Sequence, residues 1–303
     1  MAPSPRTSVG LTALLALATV GCQRVELSAS WTVDRLRVLA VRAEPAEPAP
    51  GDTVGFEALI VSPDAPLQLV MWLACPADIA GVMGCELDPA VLEQLAGLDP
   101  ESLSPEELAA LYAALADAGL MGAEPYLPPS WTVPDHILDG LTEAERNEGV
   151  TLFVQVSAIP EGAEGDSDLE LAYKRFPISE AATPNHNPVI DHLLVDGAEV
   201  AAGVILELDP LQAYEIEPVL ADDAVETYRY LLEDGTWEER LEEPYFSIYV
   251  QEGDISASNT LYPYSSFTWT TPEAPALADQ TLWIVLQDRR GGMSWWSQQV
   301  RFR

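Results

Sequence analysis

The feature that most constrains this chain is a repeated period-two alternation of apolar and polar residues, broken at intervals by Pro and Gly. Val54, Phe56, Ala58 and Ile60 alternate along one run, and Leu67, Leu69, Met71 and Leu73 along the next, with Trp72 facing the other way just before Cys75. Leu36, Val38 and Ala40 precede them, and Leu152, Val154 and Val156 repeat the pattern later. Successive side chains of a strand point to opposite faces, so each run buries one face and needs a second sheet to cover it. Between runs, Pro45, Pro48, Pro50 and Gly51-Asp52 turn the chain. Short strands with such punctuation predict antiparallel β-sandwiches.

The period changes after Cys75. Asp88-Pro89 and Ser104-Pro105-Glu106-Glu107 read as helix starts, the second a capping box with Pro at its first helical position. Leu108, Leu111, Tyr112 and Leu115 then fall on one helical stripe, and Gly119 stands where a C-cap belongs. This stripe is expected to pack on the sandwich. Thr142 to Glu145 offers one more capping box, for a single short turn.

The expected boundaries are a signal peptide at 1–21, a linker at 22–32, a first sandwich at 33–180 with a helical insertion at about 76–148, and a second at 186–303. In the second, Asp234-Gly235 and Arg289-Arg290-Gly291-Gly292 are hairpin signals.

Charge excludes several functions. Across 303 residues, 14 basic side chains face 49 acidic ones, a net charge of −35. Such a surface repels phosphate backbones, so nucleic acid is excluded as a partner, as are anionic head groups bound through a basic patch. Eight Trp and ten Tyr argue for an ordered core.

The N-terminus carries the clearest signal. Arg6 precedes an apolar run, Val9 to Val20, too short to span a bilayer, and Gly21-Cys22 follows. This segment resembles the bacterial lipoprotein signal, in which a Cys after a small residue is cut and lipidated; Thr19 departs from the usual Leu. The competing reading is an ordinary secretory signal with Cys22 a free thiol. Lipidation of Cys22 would make the membrane a partner through acyl chains, each buried CH₂ contributing about 0.8 kcal/mol. Gln23 in place of Asp suggests the outer membrane, on its periplasmic or surface face. Cleavage removes Arg6, leaving 13 basic against 49 acidic side chains, or −36. In an exported chain the remaining pair, Cys75 and Cys85, is expected to form a disulfide, because two thiols without a nearby His do not make a zinc site.

DRLRVLAVRAEPAEPAPGDTV, WLACP, NHNPVIDHLLVDG and VLQDRRGGMSWWSQQVRF resemble segments of secreted lipoproteins of the myxobacterial and delta-proteobacterial type. That resemblance implies immunoglobulin-like or PKD-like sandwiches and assigns no chemistry. The fold expected is therefore mainly β, with two Ig-like antiparallel sandwiches.

Catalytic motifs are sparse. Gly165-Asp166-Ser167 resembles a GDSL-type nucleophile block, making a hydrolase using Ser167 the enzymatic alternative, but no His follows His192 in the chain. His186, Asp191 and His192 cluster in sequence, yet residues six apart on one strand lie about 20 Å apart. His136 stands alone. Glu161, Glu164, Asp166 and Asp168 form an acidic loop that could hold calcium, as could Asp222, Asp223 and Glu226; the bland reading of both is a solvated acidic surface. Tyr262, Tyr264, Phe267 and Trp269 crowd one stretch. Of the adjacent Trp295 and Trp296, one must leave its sheet's inner face, and it either meets a partner or packs against the other domain. Read without structure, the chain is an envelope-anchored, non-catalytic structural or binding module. Calcium is the one cofactor to test, and the partner is a surface protein or a glycan. A passive envelope spacer is the alternative, and the oligomeric state stays open.

Overall fold

In the first sandwich, Trp72 is fully buried between two sheets, with Phe56 and Phe176 packed around it. The computed structural model describes residues 29–75, 104, 119–165, 168–232 and 234–303. One sheet of this half has the order β1 (Arg37–Glu44), β2 (Thr53–Val61), β5 (Ser130–Thr132). The other runs β4 (Leu120–Glu124), β3 (Leu67–Cys75), β6 (Val150–Pro160), β7 (Glu170–Ile178). All pairings are antiparallel. Val54, Phe56, Val154, Val156, Phe176 and Ile178 supply the core, as their alternation requires. The Phe56 and Phe176 rings meet edge-on at 5.5 Å, a favourable aromatic geometry. The Trp72 indole N–H, which could not be left unpaired, donates to the Glu124 carboxylate at 3.0 Å.

The helical expectation is corrected over 120–132. Residues there form β4 and β5, which belong to the two sheets. Leu120 and Met121 are buried on consecutive positions, so the segment shows no alternation, and Gly122 lies so close to Pro129 that a Cβ would stand 2.5 Å from its Cα. The segment pairs with β3 as a strand, and a register shift that sets Gly122 opposite Trp72 and Leu120 opposite Leu73 leaves Met121 extra and breaks the alternation. The short helix α1 (Glu143–Glu148) forms as the capping box predicts: Thr142 Oγ1 accepts from the Glu145 N–H, and Glu145 accepts from the Thr142 N–H at 2.8 Å. The stripe from Leu108 to Leu115 and both earlier helix starts lie outside the described residues, apart from Ser104.

The second sandwich has one sheet ordered β15 (Asp254–Ile255), β17 (Phe267–Thr270), β11 (Ala213–Leu220), β8 (Ile190–Val195), β9 (Ala198–Val200). The facing sheet runs β10 (Leu206–Leu208), β19 (Met293–Phe302), β18 (Asp279–Gln287), β14 (Tyr245–Val250), β16 (Asn259–Leu261). Trp269, Phe246, Ile248, Ile284 and Leu286 are among its fully buried side chains. A separate hairpin, β12 (Thr227–Leu231) and β13 (Trp237–Leu241), turns at Asp234-Gly235.

The two halves repeat one strand order. Taking β8, β11, β14, β16, β17, β18 and β19 as the seven principal strands of the second, sheets β8-β11-β17 and β16-β14-β18-β19 match β1-β2-β5 and β4-β3-β6-β7 of the first. Both are Ig-like sandwiches, and β10 adds a strand parallel to β19. Residues Trp31–Arg303 form one compact unit. An apolar cluster joins the sandwiches, with Leu39 and Ala40 of β1 packed on Trp283 and Val285 of β18. Among the described residues no helix is long and apolar enough to cross a membrane.

Candidate functional site

Cys22, Cys85, Asp166 and Ser167 lie outside the described residues, so the lipidation, disulfide and GDSL-type readings meet no geometry here. In the acidic loop the Asp168 carboxylate accepts the Glu164 N–H at 2.9 Å, and the Glu161 N–H donates to the Pro66 carbonyl. Among the described residues no group of three His, Cys, Asp or Glu side chains is placed to hold a metal. His186 and His192 take different partners, Glu226 and Asp191, each at 2.8 Å. Glu226 itself belongs to the domain junction and does not join Asp222 and Asp223 in a ligand set.

Trp296 sits in the core of the second sandwich. Trp295 is half-buried in the cluster between sandwiches, under the Arg42 guanidinium at 5.0 Å. Packing thus accounts for both rings. Phe267 and Trp269 are also core, whereas Tyr262 and Tyr264 are exposed, Tyr264 by 84%.

The most elaborate polar structure lies at the junction, built on the β18–β19 turn. Asp288 is buried and its Oδ1 accepts from the N–H groups of Arg290, Gly291 and Gly292 at 2.7, 3.0 and 2.9 Å. Its Oδ2 accepts from Asn185 at 2.7 Å. Lys174, the chain's single lysine, reaches across from β7 and donates to the Gly291 carbonyl. A Cβ at Gly292 would overlap the Asp288 carboxylate and stand 2.6 Å from the His186 carbonyl, so only glycine lets the turn seat here. Burial pushes the Asp288 carboxyl up despite these hydrogen bonds, and burial lowers the Lys174 ammonium to about 8 while Asp288 pulls it the other way.

From the same turn Arg290 engages three carboxylates: Glu242 at 2.9 Å, Glu226 at 3.4 Å and Glu47 at 3.5 Å. Glu47 comes from the β1–β2 connection of the first sandwich and also accepts from Ser179 Oγ and the Asn185 N–H, both at 2.6 Å. Glu226 and Glu242 stand at the two feet of the β12–β13 hairpin. Burial raises the Glu242 carboxyl, while the Glu226 N–H and Arg290 oppose that rise. Arg290 therefore ties the hairpin base to the first sandwich.

Above this clamp opens a cleft of about 780 Å³, within the range usual for ligand sites. One wall is the hairpin, with Tyr228, Tyr230 and Trp237; the other is α1 and residues 181–183. Three guanidiniums stack on these rings: Arg290 on Tyr228 at 4.5 Å, Arg240 on Tyr230 at 3.9 Å and Arg229 on Trp237 at 5.0 Å. Each such pair is worth about 0.5–1 kcal/mol at an exposed site, so together they stiffen a hairpin that joins none of the four sandwich sheets. Asp234-Gly235 marks the hairpin in the sequence, but not that it stands apart from the two sandwiches. The usable signal was composition: TYRYL and WEERL interleave aromatics with arginine and carry few aliphatics, unlike the core strands.

No protein-family profile matches the chain, and no curated protein sequence matches it. Among solved structures it is similar to the fibronectin(III)-like modules of Clostridium thermocellum CbhA, at 8% identity over 87% of this chain and 94% of that one, TM-score 0.24. It is also similar to the two tandem V-type regions of VCBP3, a v-region-containing chitin binding protein, at 12% identity over 87% and 99%, TM-score 0.27. Murine CEACAM1b aligns at 8% identity over 89% and 99%, TM-score 0.24. These scores are low, and the Ig-like assignment stands on the strand order of the two sandwiches.

Proposed function

We propose that this chain is a non-catalytic binding module, anchored to the bacterial cell envelope through lipid on Cys22, whose recognition site is the cleft between α1 and the β12–β13 hairpin. The observation that carries the reading is the cleft itself: aromatic rings and paired charges line one concave site, on a projection tied down by Arg290. Sandwiches commonly hold recognition elements on loops and hairpins while their sheets serve as scaffold. The charge of −35 directs the reading toward a surface protein or a glycan and away from polyanions.

Two experiments test it. Labelled palmitate should enter the wild-type chain in its host and be absent from Cys22→Ala; label persisting in the variant, or missing from the wild type, removes the anchor. Immobilised wild-type chain should retain an envelope component that Trp237→Ala does not retain. Equal retention by both, or by neither, removes the cleft as the recognition site and leaves the spacer reading.

A further inference from the structure

Strand β12 presents an open edge to the cleft. The hairpin's hydrogen-bond parity is fixed at both ends: the Leu232 N–H donates to the Thr236 carbonyl at 2.8 Å, and the Glu242 N–H to the Glu226 carbonyl at 2.9 Å. Bonded pairs alternate along an antiparallel ladder, so the same parity places the backbone groups of Tyr228 and Tyr230 toward Arg240 and Glu238 of β13. The N–H and C=O groups of Thr227, Arg229 and Leu231 then point the other way. No further strand pairs with β12 among the described residues. All of Thr227 to Leu231 line the cleft, whereas Trp237 is the only β13 residue that does, so the cleft runs along this edge.

We infer, resting on the binding role of the cleft proposed above, that an extended, basic segment of a partner protein binds there by adding a third strand to β12. An open edge offers main-chain hydrogen bonds, and alternate side chains of an added strand fall on opposite faces, which gives selectivity. Here one face carries Tyr228 and Tyr230, the other Arg229 and Trp237. The facing wall presents Glu143 and Glu148 of α1. Those two carboxylates suit Lys or Arg side chains of an added strand. The net charge of −35 draws a basic segment in and repels a second copy of this chain from the same edge. A two-stranded hairpin is marginal in water, so a third strand also completes the element that receives it.

The test uses the full chain in detergent and a capped hexapeptide of alternating Val and Arg, with amide hydrogen exchange read residue by residue. Binding should slow exchange at Thr227, Arg229 and Leu231 and leave the amides of Tyr228 and Tyr230 unchanged. Of two analogues, one N-methylated at every Val and one at every Arg, one should bind at least tenfold more weakly and the other like the parent. Uniform protection along 227–231, no protection, or equal binding by both analogues overturns the strand-addition inference. If cellohexaose instead binds the cleft without the alternating pattern, the binding role stands and the strand inference falls. If neither probe nor an envelope extract perturbs the cleft, both fall.

Discussion

Arg290 and Glu242 meet at 2.9 Å, on a carboxylate side chain only 2% exposed, and this contact fixes the foot of the hairpin to the β18–β19 turn at the junction of the sandwiches. Removing one partner of a buried ion pair leaves the other uncompensated. Arg290→Gln should therefore lower unfolding free energy by about 3–5 kcal/mol, measured by urea denaturation. Arg290→Lys should recover only part of it, because an ammonium cannot serve Glu47, Glu226 and Glu242 with a planar fork. A loss below about 1 kcal/mol in the Gln variant would contradict the clamp.

Gly292 is required for the seating of the turn against His186 and Asp288. Gly292→Ala should destabilise by at least about 1–3 kcal/mol, the usual cost of forcing extra volume into a packed site. A melting temperature equal to that of the wild type would show that the junction yields.

The junction also sets a pH dependence. Asp288 and Glu242 have folded pKa values raised by burial, so the native state holds their protons more tightly than the unfolded chain does. Their contribution is present below the ordinary carboxylate range and is lost as pH rises through the raised values. Lys174 has the opposite sign at the alkaline end. Its pKa falls from 10.5 to about 8, so the native state sheds the proton first and stability rises with pH between those values. Unfolding titrations of the wild type and Lys174→Met should diverge across that alkaline window; parallel curves would contradict the buried, desolvated ammonium.

Trp237 is partly exposed on the hairpin and stacks with Arg229. Trp237→Ala should cost no more than about 1 kcal/mol of global stability, the scale of one exposed cation–π pair. Circular dichroism melts can verify this, and a large loss would make the ring structural.

The fold was legible wherever burial alternates. Val54, Phe56, Val154 and Val156 announce their strands because one face of each is core. β4 is not legible, since Leu120 and Met121 are both buried and the bulge at Met121 in its pairing with β3 removes the alternation. The three-residue strands β9 and β16 are too short to show a period. Trp295 and Trp296 were correctly assigned to opposite faces, but only the packing of β1 against β18 and β19 shows what covers Trp295. The cleft depends on contacts between residues far apart in sequence, such as Arg290 with Glu47 and Glu226. No local pattern encodes those. Asp234-Gly235 did announce the hairpin, although not that it stands apart from both sandwiches.

The central claim is that recognition takes place in the cleft between α1 and the hairpin. Hydrogen exchange of the full chain, measured with and without a solubilised envelope extract, tests it most directly. The account expects slowed exchange confined to residues 227–241 and 143–148, abolished in Trp237→Ala. Protection centred on Tyr262 to Ser265 or on the 161–168 loop, or no protection anywhere, would contradict it.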